Sequence, residues 1–485
     1  MLAEADRRYL DRDWAAALAL YEQIRAQHSA AAELALPIGI GHCRIELAGP
    51  DQLERLALDG GPCPASARNT MFVIKVRHRA LELCSGGDMA RASQLLRFLA
   101  GFDGAISVTY AYNVAAGRTA CSDPPRTLAE EVDPPFLAAT GLTDRVVSEV
   151  RQREQGRRVL AVMPRYLSRT YEVIDNLVRA AERFGLIVRT FNTHGYVERP
   201  DSYAGSLLEA ILEFRPDIVY YGDLFENDVA SFSPALAEQV SEVLALARST
   251  LGVRVVRYLQ DGWRTAARVD GDLYAGLGRC VDVVVHQYPG VLDIGSAAQR
   301  AAVFCFPTPC QLPASTVEQG TIPRACFIGR IHEWAYARAV WWAESARLGL
   351  PIDWQVQLPW DTARMADPAV SDLEYADQLR RYAVSLSLVS RLNGAKIMPQ
   401  RAAETLLCGG LLLEESSPET AYFLKPGRHY VTFETLADLA ELIPALVADR
   451  SRRLALADAG QRWVAKYFTG DYFWAGLLDK LAAHG

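Results

Sequence analysis

The chain has 485 residues, half of them apolar, with 22% charged and a formal net charge of −7. That length predicts two to four domains, and the composition supports buried cores and excludes a disordered chain. The acidic balance lacks the excess of a nucleic-acid binder, and no apolar run is long enough to cross a membrane.

Nine cysteines include no C-x-x-C pair, which points to reduced thiols, mostly small core residues. The start, Met1-Leu2-Ala3-Glu4-Ala5-Asp6, lacks the basic-then-apolar plan of a signal peptide, so a cytoplasmic protein is expected. The eight histidines show no H-E-x-x-H and no paired spacing, so no metal site is expected.

Residues 1–120 read as helical. The stretch Asp13 to Tyr21 is echoed by Asp88 to Leu96, a shift of 75 residues, with a small residue four before a large one in each. The shift is close to two periods of about 34 residues, so the region resembles tetratricopeptide helices, and an ordinary alanine-rich bundle explains it equally. Residues 121–156 read as a linker, broken by Pro124-Pro125, Pro134-Pro135 and Gly141.

From Val159 short apolar strands alternate with amphipathic helices. Strands are predicted at Val159–Met163, Leu186–Phe191, Asp217–Tyr221, Val253–Leu259, Val281–Val285 and Ala302–Phe306. A second series follows at Ala325–Ile328, Asp353–Gln357, Val384–Val389, Gly410–Leu413 and His429–Phe433. Short strands without polar alternation imply parallel sheets covered on both faces. The expected fold is therefore α/β: two doubly wound domains, 157–312 and 313–468, preceded by a helical domain. The stretch Pro307 to Pro323 reads as their hinge. Residues 469–485 read as an aromatic helix that crosses back to the first sheet.

Two stretches carry the chemistry. Phe327-Ile328-Gly329-Arg330 is an apolar strand ending in Gly-Arg. Arg391 to Lys396 is a polar loop leading into a helix with Arg401 and Glu404. Glycine, cations and a helix N-terminus suit a diphosphate held without a metal, and a carboxylate one turn into that helix suits the hydroxyls of a ribose. Arg401 in the first helical turn opposes the dipole, so it needs a partner: Glu404 one turn on, or a bound anion. The plainer reading is a solvated Arg–Glu pair.

The tandem plan, with F-I-G-R at 327–330, N-G-x-K at 393–396 and R-x-x-E-x-x-x-C-G-G at 401–410, resembles the GT-B glycosyltransferases, most closely their CgeB-like branch. Gly427-Arg428-His429-Tyr430-Val431 and Tyr467-Phe468-Thr469 fit the same resemblance, which covers roughly residues 157–485. It implies two Rossmann-like domains, with a nucleotide-sugar donor bound mainly by the second. It puts the ribose carboxylate on Glu404 and the phosphate cation on Lys396 or Arg330. Gly329 would let the backbone approach the diphosphate, and Asn393 and Arg401 complete the donor set. Many retaining members carry two glutamates eight positions apart. Lys396 stands in the first of those places here, which leaves the stereochemistry open.

In the first sheet, Asp261 ends a predicted strand before Gly262-Trp263, where a general base would sit, although Asp is also a common cap there. His286 is the second candidate base, and a structural hydrogen-bonder is the plainer reading for it. His332, Arg165, Tyr166 and Asp223 are weaker strand-end candidates. The D-x-D patterns at Asp11 and Asp13 and at Asp270 and Asp272 lack the strand context of metal-dependent transferases. Pro164-Arg165-Tyr166 offers no Gly-rich turn, so a dinucleotide fingerprint is missing. Cys408 reads as packing.

The expected activity is metal-independent transfer of a sugar from a nucleotide-diphosphate donor to an acceptor hydroxyl, with no cofactor. The helical region suggests a protein or glycan acceptor. A nucleotide-sugar epimerase and a non-catalytic helical scaffold with a degenerate transferase module are the alternatives.

Overall fold

The computed structural model describes residues 4–5, 7–8, 11–27, 47–58, 70–100, 133–163, 173–196, 200–222, 234–259, 280–287, 302–313, 315–331, 337–358, 372–390, 396 and 398–484. The helical region contains α1 (Trp14–Gln27), α2 (Pro50–Leu58), α3 (Thr70–Ser85) and α4 (Met89–Ala100). α3 and α4 form a hairpin, turned at Gly87 in the left-handed conformation at φ 84°. Glu54 of α2 is 5% exposed and accepts from Arg79 of α3 at 2.6 Å and Arg91 of α4 at 2.9 Å. One buried carboxylate, neutralised from two sides, thus ties the three helices together.

The second half of the expected linker is folded. It forms α5 (Pro135–Thr140) and α6 (Asp144–Glu154). The residues that suggested a linker are helix boundaries. Pro134 and Pro135 open α5, where a missing N–H costs nothing, and Gly141 closes it at φ 63°. Thr143 caps α6 by accepting from Val146 N at 3.3 Å.

The first α/β domain contains β1 (Arg158–Met163), α7 (Val173–Phe184), β2 (Ile187–Asn192), α8 (Tyr203–Phe214), β3 (Ile218–Gly222), α9 (Pro234–Leu251), β4 (Arg254–Leu259), β5 (Val283–His286) and β6 (Ala302–Cys305). The strands pair in parallel in the order β2-β1-β3-β4-β5-β6. The second contains β7 (Ile322–Arg330), α10 (Ala337–Arg347), β8 (Ile352–Gln357), α11 (Asp372–Arg381), β9 (Tyr382–Ser387), α12 (Gln400–Leu407), β10 (Leu412–Glu415), α13 (Pro418–Phe423), β11 (Val431–Phe433), α14 (Leu436–Ala448) and α15 (Arg450–Tyr467). Its parallel order is β11-β10-β9-β7-β8. Each sheet therefore reverses direction once, beside its first strand, at β1/β3 and at β7/β9. Ligands of open parallel sheets bind outside the strand C-termini at such a point.

The last helix, α16 (Gly470–Ala483), returns to the first domain and packs on α6, α7, β5 and β6. Glycine permits the approach: a Cβ on Gly470 would lie 2.1 Å from the Ala180 Cβ, and one on Gly476 2.6 Å from the Phe304 ring. Trp474 donates to the Leu177 carbonyl at 3.2 Å, and Tyr472 donates to Asp144 at 2.6 Å. One apolar cluster spans both domains, with the fully buried Phe136 of α5 between Phe306 of the first and Phe423, Trp463 and Phe468 of the second.

The helical region rests on the second α/β domain. Leu96 and Leu99 of α4 share a core with Ala339, Val340 and Ala343 of α10, and with Ile331 and Leu358 just past β7 and β8. At that contact Ser93 donates to Glu344, and Arg97 lies 3.5 Å from the same carboxylate.

Candidate functional site

The β7/β9 switch point is where the described side chains concentrate charge. β7 ends in Gly329 and Arg330, on a strand whose Phe327 is fully buried. α12 begins after Pro399, so Arg401 lies in its first turn, at the level of the strand C-termini. Its guanidinium reaches over β7. Cζ lies 5.3 Å from the Phe327 ring centroid, and a Cβ on Gly329 would meet Nη1 and Nη2 at 2.7 Å. Gly329 thus serves as the absence of a side chain: it makes room for a cation against the strand end. Arg401 Nε is enclosed with no hydrogen-bond partner.

A second arginine spans the switch point. Arg338, in the first turn of α10, is 6% exposed. It donates to the Arg330 carbonyl at 2.7 Å and to the Leu388 carbonyl at 3.4 Å, joining the ends of β7 and β9. Its Cζ lies 5.7 Å from the same Phe327 ring. These two cations are fixed before any ligand arrives, which is how preorganised charge stabilisation works.

Glu404, one turn beyond Arg401, is 6% exposed and accepts a 2.6 Å hydrogen bond from the Tyr375 hydroxyl of α11. The Arg401 charge acts on the same phenol. Burial, then the Glu404 charge, push the phenol well above its ordinary range, against the pull of Arg401.

Lys396 is held separately. Its backbone bridges to Ser390, its ammonium donates to the Ser416 carbonyl at 2.5 Å, and it lies 3.8 Å from Glu415. Glu415, the last residue of β10, accepts from Val389 N and Ser390 N at 3.0 Å each and from the Ser390 hydroxyl. It thus holds Ser390 and Lys396 near one carboxylate. Arg330 donates to Gln357 of β8 at 2.5 Å. The Arg330 side chain thus leans to the β8 flank of the switch point, and Lys396 to the β10 flank. The structure joins Gly329, Arg401 and Glu404, and leaves the other two cations at the rim.

Asn393, Asp261, His332, Arg165, Tyr166, Asp223, Asp270 and Asp272 lie outside the described residues. His286 ends β5 and is 2% exposed, enclosed at the strand end. Asp13 accepts from Ala16 N at 3.4 Å at the start of α1. Burial pushes the Cys408 thiol up to about 12. Among the described residues, no group of three or more His, Cys, Asp or Glu could hold a metal ion, and no helix is long and apolar enough to cross a membrane.

Sequence reasoning missed Arg338, Tyr375 and Glu415. An acid ending a buried parallel strand could have flagged Glu415. Nothing in the local pattern flags Tyr375.

A family model described as glycosyl transferase-like matches residues 329–479, a span that opens on Gly329. Among solved structures, the chain is similar to Anabaena Alr3699/HepE in complex with UDP and glucose, at 12% identity and TM-score 0.44, over 68% of this chain and 100% of that one. It is similar to sucrose-phosphate synthase from Thermosynechococcus elongatus at 10% identity and TM-score 0.47, over 68% and 100%. A glycosyltransferase from Rickettsia africae gives 12% and 0.40, over 68% and 100%. No curated protein matches the chain.

Proposed function

We propose that this protein is a metal-independent glycosyltransferase that moves a sugar from a nucleoside-diphosphate donor to an acceptor hydroxyl, and that it belongs to the CgeB-like branch. What carries the reading is the Gly329–Arg401 contact at the switch point, at the head of the span that matches the glycosyl transferase-like model. Only a glycine there lets a cation lie against the strand end, where ligands of such sheets bind.

In this reading Arg401 takes the diphosphate, and Lys396 and Arg330 close on it from the two rims. Together they stabilise the negative charge that builds on the leaving nucleotide as the glycosidic bond breaks, the task a divalent metal performs elsewhere. Lys396 would exchange its Ser416 and Glu415 contacts for phosphate oxygens. Glu404 takes the ribose hydroxyls. His286, which ends β5 of the first sheet, or Asp261 accepts the proton of the acceptor hydroxyl as it attacks the anomeric carbon. The tetratricopeptide-like helical region would engage a macromolecular acceptor, a protein or a surface glycan.

The test is a thermal-shift screen of the full chain against UDP-, GDP-, CMP- and dTDP-sugars, with and without EDTA. A donor at one hundred times its Kd adds about 2.7 kcal/mol to the native state, so a true ligand gives a clear upward shift. The expected result is one nucleotide class that shifts the wild type equally with EDTA present, and shifts Lys396→Ala and Glu404→Ala less. No shift with any nucleotide would refute the reading.

A further inference from the structure

We propose that Tyr375 is a positioning residue for the ribose of the donor: it fixes the Glu404 carboxylate, and so sets the preference for a ribonucleotide over a 2′-deoxyribonucleotide. The proposal deepens the nucleotide reading and rests on it. Three observations carry it.

First, Tyr375 lies in the first turn of α11, and Arg401 and Glu404 lie in the first two turns of α12. Both helices begin at the C-terminal edge of the second sheet. Arg401 and Glu404 are three residues apart, on one helix face, so a single group beside that face can touch both.

Second, the Tyr375 hydroxyl reaches the carboxylate. It donates to Glu404 Oε2 at 2.6 Å. A carboxylate has about four acceptor positions, so one phenol bond leaves acceptor capacity for a vicinal diol.

Third, the ring is anchored. Tyr375 packs with Ile328 of β7 on the cluster of Ala376, Leu379 and Cys408. Its hydroxyl position follows from the sheet, and the Glu404 rotamer follows from the hydroxyl. Reading two hydroxyls on adjacent carbons demands a carboxylate held to a fraction of an ångström, and packed neighbours of the contacting group supply that. The rival account is a hydrogen bond that only stabilises the interior. The two accounts differ in what they predict for a ligand lacking one hydroxyl.

The experiment uses the full chain and isothermal titration. The probes are UDP, GDP and ADP, and the 2′-deoxy counterpart of whichever binds. The wild type is expected to bind the ribonucleotide about tenfold or more tighter than the deoxy form, the size of one hydrogen bond to a charged group. Tyr375→Phe keeps the ring and removes the hydroxyl. It should bind the deoxy form as the wild type does and the ribonucleotide about tenfold weaker, which erases the preference. Tyr375→His, whose ring N–H stops short of Glu404, is the second variant and carries the same expectation. General damage to the site would weaken both ligands equally, so equal losses overturn the proposal, as does a preference that survives in either variant. A wild type that binds ribo and deoxy forms alike removes the ribose contact of Glu404, and this proposal with it, while the nucleotide reading stands. A wild type that binds none of these probes and shifts with none of the nucleotide sugars of the thermal screen ends the nucleotide reading itself.

Discussion

Gly329→Ala should abolish most nucleotide affinity while leaving the protein folded. The new Cβ would sit 2.7 Å from both terminal nitrogens of Arg401 and 3.0 Å from Cζ. Ordinary contact begins near 3.4 Å, so the guanidinium must withdraw by several tenths of an ångström. Gly329 lies in β7 and is not among the glycines with positive φ, so alanine suits its backbone. Replacing a strand glycine by alanine gains about 0.5–1 kcal/mol from unfolded-state entropy, which offsets the displacement of a flexible side-chain end. Binding behaves differently, because a withdrawn Arg401 no longer meets a phosphate. One charge-assisted hydrogen bond of about 1.5–3 kcal/mol corresponds to a Kd about 10- to 150-fold higher. Isothermal titration with the nucleotide found by thermal shift measures it, and circular dichroism checks the fold. Arg401→Ala should lose a similar amount, and Gly329→Ala should add nothing in that background, since the clashing atoms are gone. Wild-type affinity in Gly329→Ala, or an undiminished loss on top of Arg401→Ala, would refute the assignment of this glycine.

Burial would raise the Glu344 carboxyl, but hydrogen bonds from Ser93 and Arg347, with the charges of Arg347 and Arg97, hold it below its ordinary 4.5. Its contribution is complete above that value and is lost as pH falls through the lower folded value, so acid melts of wild type and Glu344→Gln should draw together as pH falls below 4.5 and converge beneath the folded value. Burial, then Arg428 and Lys425, lower His429 from 6.5 to about 4, and its Nδ1 accepts from Lys425 N at 3.1 Å. The unfolded state binds the extra proton between those values, so stability should fall by up to about 3 kcal/mol as pH drops from 6.5 to 4, and His429→Asn should flatten that slope in urea melts. Phe136→Ala should cost about 3–5 kcal/mol by urea unfolding, because its ring fills the cluster shared by both domains, and a loss below about 1 kcal/mol would argue against that role. Lys396→Ala should weaken nucleotide binding with little change in melting temperature, since its ammonium is partly exposed and rests on one carbonyl.

Both sheets were legible because parallel strands are buried on two faces and carry no polar interruptions. Leu160 to Met163 and Leu411 to Leu413 are continuous apolar runs, and each lies in or beside an observed strand. Residues 133–154 misled because Pro and Gly mark helix ends as readily as linkers. Arg401 and Glu404 stand out by their spacing, but the partner of Glu404 does not. Tyr375 lies 29 residues from Glu404, and the two meet only because α11 and α12 lie side by side against β9. Arg330 was legible by its place after Gly329, but its resting bond was not: the register with Gln357 sets its side chain against β8.

The docking of the helical region bears on how a transfer could be organised. α10 faces two ways within three turns: Arg338 holds the ends of β7 and β9, while Ala339, Val340 and Ala343 sit in the core shared with α4. Ile331 and Leu358, immediately beyond Arg330 and Gln357, enter the same core. A rigid helix joined at one end to the switch point and along its length to the helical region leaves little freedom between them. The helical region therefore belongs mechanically to the second α/β domain. An acceptor gripped by it would travel with the donor when the two α/β domains approach, and the proton acceptor of the first sheet would be the group delivered across the crevice. Weakening the α4–α10 contact should then alter donor binding as well as acceptor binding, which an independent, tethered arm would not do.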